Sequence, residues 1–450
     1  MADWFLPLGV PGSTDEWCFA TTSTPDLRVY VSYADYYARL ADLFAQAKTN
    51  DEIFVVGWGF GLEEILKDRK SALLFLEAAR GRGARVRLLS TPKHDHSDNN
   101  LQVGNAVAKN LDAVIDRQLP PGTTALHHQK AVFIKLQSTT HLFVGGMDVI
   151  TARVNQWFDV QAEIIGVGAS LGRKTLEERW ESLKPPLGDV SATATPLGAS
   201  KKDDSYKVQF IRTYPPFPAD TTNWKRTYAK DGDHTYYALI CGAIASAQKS
   251  IYLEEQFLWS MGSAPTRSNP AGGSVPRQRG DVPNVPDTLE RLMKEAIARG
   301  IKVVIIGPNF PPNDPFKKNR DPVVRTLRNA SNPPVLLQVR ANMMFVHSKT
   351  WIFDDEFIVI GSANFWASSF VSVHTPAEAE FGVAFTSKGD GASLGFPRVP
   401  FAKALRLRLW ERIRQTRDPS YVFPRSITAF DDQVKELQSA INGTAPFEPM

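Results

Sequence analysis

Long apolar runs are absent from this chain of 450 residues, and cysteine is scarce. No apolar stretch approaches the roughly 20 residues of a membrane-spanning helix, so no transmembrane segment is expected. The two cysteines, Cys18 and Cys241, stand far apart and do not indicate a disulfide framework. The first residues carry no Lys or Arg before their short apolar stretch, so a cytoplasmic location is the default expectation. Export by a signal-independent route is the alternative.

A strong excess of one charge is also missing. The chain has 52 basic and 48 acidic residues, which gives a net charge of +4. This mild balance fits an anionic substrate, but it does not by itself argue for a nucleic-acid partner, and none is predicted as obligate. A hydrophobic content of 43% and a charged content of 22% are typical of a globular protein. The length allows two or three domains, or one large duplicated domain.

The chain repeats one pattern of helices and strands. Each copy has a helix-period segment, an apolar strand, a second helix that ends in Arg-Gly or a Gly-rich equivalent, and a second apolar strand. In the first copy these are 33–48, 51–58, 71–83 and 84–90, and in the second they are 235–248, 250–257, 287–300 and 301–307. A strand, crossover helix and strand form the βαβ unit of a parallel sheet. We therefore predict an α/β fold of two duplicated halves, with mostly parallel sheets flanked by helices.

The segment VHSKTWIFDDEFIVIGSANF, from Val346 to Phe365, combines titratable, cationic and amide side chains. In a strand, His347 and Lys349 point to the same face. The next predicted strand ends in a tight turn that carries Ser362 and Asn364. A nucleophile or acid, a fixed cation and an amide donor are the groups needed to hold a phosphate. An isolated H-x-K is more simply a buried pair satisfied by its neighbours, so the inference depends on a partner elsewhere in the chain.

The first copy contains such a partner. The segment TALHHQKAVFIKL places His128 and Lys130 in the same arrangement, at nearly the offset that separates Gly83 from Gly300. HLFVGGMD then corresponds to FIVIGSAN. Each motif is too small to make a complete site, so the two are expected to face each other across a pseudo-twofold axis, with the site at the interface of the halves.

These motifs resemble those of the phospholipase D superfamily, whose halves each carry H-x-K-x-x-x-x-D followed by G-S/G-x-N/D. The second copy matches in full. In the first copy Lys135 holds the position of the aspartate, which in the family mainly ties the strand down. HHQK, FVGGMD and SIYLEEQF are similar to segments of the phosphatidylcholine-type phospholipases D. The matched residues are His347, Lys349, Asp354, Gly361, Ser362 and Asn364 in the second copy, and His128, Lys130, Gly145, Gly146 and Asp148 in the first.

The resemblance implies a metal-independent phosphodiesterase that forms a covalent phosphohistidine. It assigns His128 as the nucleophile and His347 as the general acid and then base. Lys130, Lys349 and Asn364 would hold the phosphoryl oxygens in place of a metal.

The resemblance also implies an acidic partner for each histidine, contributed by the opposite half. Asp159 and Glu380 stand at the expected places, each near the start of a following strand, and Glu378 competes with Glu380 for the second role. A carboxylate bound to one ring nitrogen fixes the tautomer and orientation of the other. A solvated carboxylate at the edge of a strand is the simpler alternative for each.

The predicted function is that of a phospholipase D. It would hydrolyse glycerophospholipids at a membrane or micelle surface to phosphatidic acid and the free headgroup, and it would transfer the phosphatidyl group to added alcohols. We expect a monomer with no cofactor. The alternatives are a cardiolipin-synthase-like phospholipid synthase, a nuclease of the same superfamily, and a non-catalytic binding protein. Two intact H-x-K pairs disfavour the last.

Other segments leave further predictions. Residues 1–195 and 196–450 are predicted as the two halves, with a linker at about 184–205 and a flexible flap loop at 259–286 beside the site. HDHSD, at 94–98, resembles part of a dinuclear metal motif, but Asn99 replaces the next histidine, so no metal is predicted. The basic run 316–328 would meet lipid phosphates or form a solvated helix face.

Overall fold

The structure is a computed structural model. It describes residues 4–6, 22–24, 26–62, 65–91, 99–116, 126–150, 156–183, 206–215, 228–229, 232–259, 289–330, 333–340, 344–370, 378–386, 389–439 and 447–450. The predicted linker, the predicted flap after Trp259 and the HDHSD segment lie outside these ranges.

The first part of the chain forms four helices and twelve strands within the described residues. In chain order these are β1 (Thr22–Thr24), β2 (Asp26–Tyr30), α1 (Tyr33–Gln46), β3 (Glu52–Gly57), β4 (Ile65–Lys67), β5 (Lys70–Ser71), α2 (Ala72–Gly81), β6 (Arg85–Ser90), α3 (Asn99–Ala108), β7 (Asp112–Ile115), β8 (Leu126–His127), β9 (Ala131–Lys135), β10 (Thr140–Gly145), β11 (Trp157–Phe158), β12 (Gln161–Ile165) and α4 (Val167–Glu181).

The second part repeats this order and extends it at the C-terminal end. Its described elements are β13 (Tyr206–Thr213), α5 (Thr235–Ser246), β14 (Ser250–Glu255), α6 (Leu289–Ala298), β15 (Lys302–Gly307), α7 (Pro315–Arg328), β16 (Val335–Val339), β17 (Phe345–Val346), β18 (Lys349–Phe353), β19 (Phe357–Gly361), α8 (Ala367–Phe370), β20 (Glu378–Thr386), β21 (Asp390–Gly391), β22 (Phe396–Pro400), α9 (Phe401–Gln415), α10 (Phe430–Gln438) and β23 (Phe447–Pro449). The eight elements predicted from periodicity are all present, within two residues at each end.

The two large sheets have the same strand order. The first runs β2-β12-β10-β9-β3-β6-β7, and the second contains β13-β20-β19-β18-β14-β15-β16, with β1 and β23 added at its two edges. Each strand of the first sheet therefore has a counterpart at the same place in the second. This confirms the predicted α/β fold of two duplicated halves.

The sheets are mixed, so the prediction of mostly parallel sheets was wrong. Parallel neighbours occur at β3-β6-β7 and at β14-β15-β16, where crossover helices join the strands. The other neighbours along both sheets are antiparallel. The βαβ pattern is correct for the crossover segments. The motif strands β9-β10 and β18-β19, however, form hairpins, because each pair is joined by a short turn that can only reverse direction.

Glycine permits the turns that lead from the crossover helices into the strands. Gly83 after α2 has φ 94° and Gly300 after α6 has φ 88°, which is left-handed backbone in both copies. A side chain is strained in this conformation, and a Cβ at Gly83 would also lie 2.5 Å from Oγ1 of Thr49. The two glycines that aligned the copies in sequence thus end equivalent helices.

Three large apolar clusters form most of the core in the described part of the chain. One joins α1, α2 and α3 to the outer face of the first sheet, and a second joins α5, α6 and α7 to the outer face of the second sheet. The third contains residues from the facing sides of both sheets together with α4 and α9. The helix α9 is thus part of the core between the halves. In the described part of the chain, no helix combines the length and apolar character needed to cross a membrane.

Candidate active site

Two short parallel strand pairs cross between the halves and place the motif histidines. β8 pairs with β20 and β11 pairs with β17. Directly after these pairs, the backbone N–H of His128 donates to the carbonyl of Ala379 at 2.9 Å, and that of His347 donates to the carbonyl of Phe158 at 2.8 Å. Each histidine is therefore attached to a strand of the opposite half, and the same connection is made twice.

A carboxylate of the opposite half contacts each histidine ring. Nδ1 of His128 lies 3.0 Å from Oε1 of Glu380, and Nδ1 of His347 lies 2.6 Å from Oδ2 of Asp159. All four side chains are buried. With Nδ1–H donating to the carboxylate, Nε2 becomes the nitrogen that carries the chemistry of each ring. Of the two candidates weighed for the second role, Glu380 makes this contact.

The two lysines are held in the same way against their histidines. Nζ of Lys130 donates to the carbonyl oxygen of His128 at 2.6 Å, and Nζ of Lys349 donates to that of His347 at 2.6 Å. Burial lowers the pKa of Lys349 to about 8, and Lys130 lowers it further, while Asp159 opposes the shift. The ammonium groups of the two halves are thus close enough to repel each other, which favours an anion near both.

The lysines differ in their remaining contacts. Lys349 also donates to Oε1 of Gln256 at 2.7 Å. Nζ of Lys130 lies 5.2 Å from the centre of the Trp58 ring and 3.8 Å from Oδ2 of Asp148. The two lysine positions are therefore related by the duplication but are not chemically identical.

Two tryptophans that are not among the predicted site residues contact the histidine rings. Trp58 meets His128 edge to face at 5.2 Å between ring centres, and Trp157 overlaps His347 at 4.4 Å. Their positions in the sequence could have suggested both contacts. Trp58 directly follows the apolar strand β3, and Trp157 belongs to the segment WFDV, which includes Asp159. These rings restrict the orientation of the imidazoles.

Burial shifts the protonation equilibria of the site. The pKa of His128 is well below its usual value because burial disfavours the charged ring, with Lys130 adding to the effect. Burial raises the pKa of both Asp159 and Glu380. His128 is therefore neutral at physiological pH, which is the state in which an imidazole can act as a nucleophile.

The glycine-containing turns bring the carboxylates into place. β10 ends at Gly145 and β19 ends at Gly361. A Cβ at the next residue, Gly146, would lie 2.0 Å from Oδ1 of Asp159, so only glycine leaves room for this carboxylate. In the second copy Ser362 stands at the same place, and its hydroxyl donates to Oε2 of Glu380. The small residue of the motif thus positions the acid that faces the histidine.

Asp148 and Asn364 occupy equivalent buried positions with different contacts. Oδ1 of Asp148 accepts hydrogen bonds from the backbone N–H groups of Trp58 at 3.1 Å and Gly59 at 3.2 Å, which fixes the end of β3. Oδ1 of Asn364 has no hydrogen-bond partner among the described residues. The aspartate is thus held mainly by the fold, whereas the asparagine retains hydrogen-bonding capacity.

The motif aspartate Asp354 lies away from the histidines and ties down a turn. Its carboxylate accepts hydrogen bonds from the backbone N–H groups of Gln248, Lys249 and Ser250, at 2.8–2.9 Å. In the first half, where Lys135 replaces it, Asp51 accepts from the backbone N–H of Lys48 at 2.9 Å. A residue of the turn itself therefore supplies the acceptor there.

One cluster in the described part of the chain has the composition of a metal site. Ligand atoms of His128, Glu378 and Glu380 lie within 4.8 Å of one another. However, hydrogen-bond donors already surround the carboxylates: Nδ1–H of His128 and the hydroxyl of Ser362 approach Glu380, and the indole N–H of Trp366 approaches Glu378 at 3.0 Å. This donor set fits a hydrogen-bonded network better than a cation site.

Known proteins are similar to this chain in part of its sequence and in its fold. Residues 282–383 match a domain family described as "Cardiolipin synthase, PLD-like domain". Among solved structures, phosphatidylserine synthase from Haemophilus influenzae Rd KW20 has 13% sequence identity and a TM-score of 0.54, covering 88% of each chain. Yeast tyrosyl-DNA phosphodiesterase has 14% identity and a TM-score of 0.48, covering 80% of this chain and 89% of its own. No curated protein sequence matches significantly.

The matched domain contains the second H-x-K motif, Asn364 and Glu380, and the first of these structures shares the fold of both halves. Residues 282–383 therefore belong to a PLD-like domain family, and the fold of the whole chain agrees with the resemblance of its twin H-x-K motifs to the phospholipase D superfamily.

Proposed function

We propose that this enzyme transfers a phosphatidyl group from a phospholipid to an alcohol through a phosphohistidine on His128. Water is a competing acceptor. The observation that carries the proposal is the mirrored arrangement in which each buried histidine is held through Nδ1 by a carboxylate of the other half. A double displacement needs two imidazoles of opposite role at one phosphorus atom, and the pairing of both histidines in the same way across the halves supports this role.

In the first step, Nε2 of the neutral His128 attacks phosphorus and forms the N–P bond. The bond from phosphorus to the headgroup oxygen breaks, and His347 gives its proton to that oxygen. In the second step, His347 takes the proton of the incoming alcohol, whose oxygen attacks phosphorus. The N–P bond then breaks and its electron pair returns to Nε2 of His128. Lys130 and Lys349 hold the non-bridging oxygens in both steps, which stabilises the charge that develops there.

An aromatic tract supports a lipid as the substrate. Starting at His347, ring contacts of 4.4–6.0 Å pass through Trp157, Phe345 and Phe310. They continue at 5.5 Å to Phe316, which is only partly buried. A continuous apolar tract next to a phosphate-holding site suits the glycerol and acyl parts of a phospholipid, and the mild net charge gives no electrostatic reason to prefer nucleic acid.

The family description supports transfer to an alcohol better than the hydrolysis that the motifs first suggested. The matched domain is described as a cardiolipin synthase domain, and the phosphatidylserine synthase that shares the fold is also named for a synthetic reaction. Both reactions would use the same intermediate, so the acceptor decides the product.

The test is a lipid panel incubated with the purified protein in the presence of glycerol, phosphatidylglycerol, ethanol or water alone. We expect release of the headgroup and formation of the matching phosphatidyl alcohol, in an amount that rises with acceptor concentration. The covalent intermediate is tested by rapid denaturation without acid after reaction with labelled substrate. The labelled phosphatidyl group should remain on the wild type, and also on His347→Ala when an activated substrate is used. It should not remain on His128→Ala.

Three results would contradict the proposal. Phosphatidic acid as the sole product at high alcohol concentration would indicate direct attack by water. Label on His128→Ala but not on His347→Ala would exchange the roles of the two histidines. Cleavage of single-stranded DNA without any action on lipid vesicles would establish the nuclease alternative.

A further inference from the structure

Behind His128, a buried serine bridges two carboxylates. Oγ of Ser369 contacts Oε2 of Glu378 and lies 2.8 Å from Oε1 of Glu380. The indole N–H of Trp366 donates to Oγ of Ser369 at 2.6 Å. All three bridged residues are buried. These contacts lie beyond the pairing of histidine and carboxylate described above.

The number of hydrogens in this bridge requires one carboxyl to be protonated. The hydroxyl of Ser369 has a single hydrogen and can donate to only one of the two carboxyl groups. The contact to the other then needs a hydrogen that the carboxyl itself provides. Glu380 already accepts from Nδ1–H of His128 and from the hydroxyl of Ser362, so it is the ionised partner.

We propose that Glu378 is a protonated carboxylic acid that donates its hydrogen to Ser369. Ser369 in turn donates to Glu380, which remains a single carboxylate aligned on Nδ1 of His128. Glu378 is thus a positioning residue that acts through two others and sets the upper pH limit of the nucleophile. This inference rests on the proposed role of His128.

The charged groups around the bridge agree with this assignment. Glu378 is faced by Glu380 on its own strand and by His128 from the segment after β8, and burial together with Glu380 raises its pKa to about 7. Lys130, directly before β9, acts on Glu380, as does Lys349 on β18, and both cations favour an ionised Glu380. Tyr236 on α5 also faces Glu380. The cations thus act on Glu380, whereas the charge of Glu380 holds the proton on Glu378.

The bridge belongs to one half only. The position of Glu378, two residues before the carboxylate that holds the histidine, is occupied in the first half by Trp157. Its ring packs on His347 at 4.4 Å. The surroundings of the two histidines therefore differ. His128 faces a carboxylate that has a neutral acid behind it, whereas His347 faces a carboxylate and an indole ring.

Loss of the proton from Glu378 would weaken the nucleophile. As the pH rises, Ser369 can satisfy only one of two ionised carboxylates, and Glu380 is repelled from its position. Glu378→Gln cannot ionise and keeps an N–H donor for Ser369. We expect its alkaline limit of kcat/KM to move up by about one pH unit, from near the pKa of Glu378 at about 7 towards that of Lys349 at about 8.

The experiment records kcat/KM against pH with a phospholipid and with bis(p-nitrophenyl) phosphate, whose leaving group needs no proton. Glu77→Gln is the matched control, because Glu77 is an exposed partner of Lys109 and its change should leave the profile unaltered. Ser369→Ala should lower activity at every pH, since it breaks the bridge without removing Glu378. An unchanged alkaline limit in Glu378→Gln would overturn the proposal.

Infrared difference spectra test the proton itself, without any activity. The wild type should show a protonated-carboxyl band in mildly acidic buffer that disappears with a midpoint near neutral pH, and Glu378→Gln should lack it. This result would support the proposal even if lipid transfer failed. Absence of the band from the wild type would overturn it even if lipid transfer were demonstrated, so the two failures are distinguishable.

Discussion

The leaving-group dependence of two carboxylate variants tests the assignment of the histidines. Asp159→Asn and Glu380→Gln each remove one negative charge from a buried histidine pair while keeping its shape. The contacts are 2.6 Å at His347 and 3.0 Å at His128. Because the pairs are buried, water cannot replace the lost acceptor. The amide would also favour the wrong tautomer of the ring.

The expected magnitude follows from this loss. In a comparable buried pair of histidine and carboxylate, replacing the acid by its amide lowers kcat by about 10⁴. The contact at His128 is longer than that at His347, so we expect about 10³ for Glu380→Gln and about 10⁴ for Asp159→Asn with a phospholipid substrate, or roughly 4 to 5.5 kcal/mol of barrier.

The assay compares a phospholipid with a p-nitrophenyl phosphodiester. Release of p-nitrophenolate needs no general acid, so Asp159→Asn should still form the covalent intermediate and give a burst of one equivalent, followed by slow turnover. Glu380→Gln impairs the nucleophile, so it should lose the burst with either substrate. Asp51→Asn, a buried aspartate at the opposite end of β3 from the site, is the control and should retain both activities. Equal losses for the two variants on both substrates would refute the assignment.

Three further predictions concern the stability of a turn, the room that a glycine leaves for Asp159, and the effect of removing metals. Asp354→Ala removes the acceptor of three backbone N–H groups and should lower the free energy of unfolding by about 3 kcal/mol, measured in urea, while the folded fraction keeps its KM. Gly146→Ala should inactivate the enzyme by displacing Asp159. The control is Gly104→Ala, because Gly104 is exposed on α3 and has open space around it. This control should preserve activity and raise the free energy of unfolding by about 0.5–1 kcal/mol, measured by thermal unfolding. Exhaustive chelation should leave turnover unchanged, since lysines neutralise the phosphate; a loss restored by zinc or calcium would contradict this.

The sequence by itself determined the repeated local structure and the chemistry that it carries. Apolar runs and helical periods depend on contacts a few residues apart, so α1, α2, α5 and α6 and the strand after each could be predicted within two residues. The H-x-K pairs identified His128, Lys130, His347 and Lys349 because strand alternation places both members of a pair on one face. The partners Asp159 and Glu380 came from the family resemblance and not from periodicity.

Tertiary structure alone decided how the halves complete each other. The contacts of His128 with Glu380 and of His347 with Asp159 join residues about 250 and 190 positions apart, and they exist because β8 and β11 pair with β20 and β17 of the other half. Such pairings depend on the packing of the sheets, about which local patterns carry no information. The same packing decided that most neighbouring strands are antiparallel. It also brought Ser369 between Glu378 and Glu380, where the number of available hydrogens determines that Glu378 is protonated. The sequence could name Glu378 only as a rival of Glu380 for the contact with the histidine.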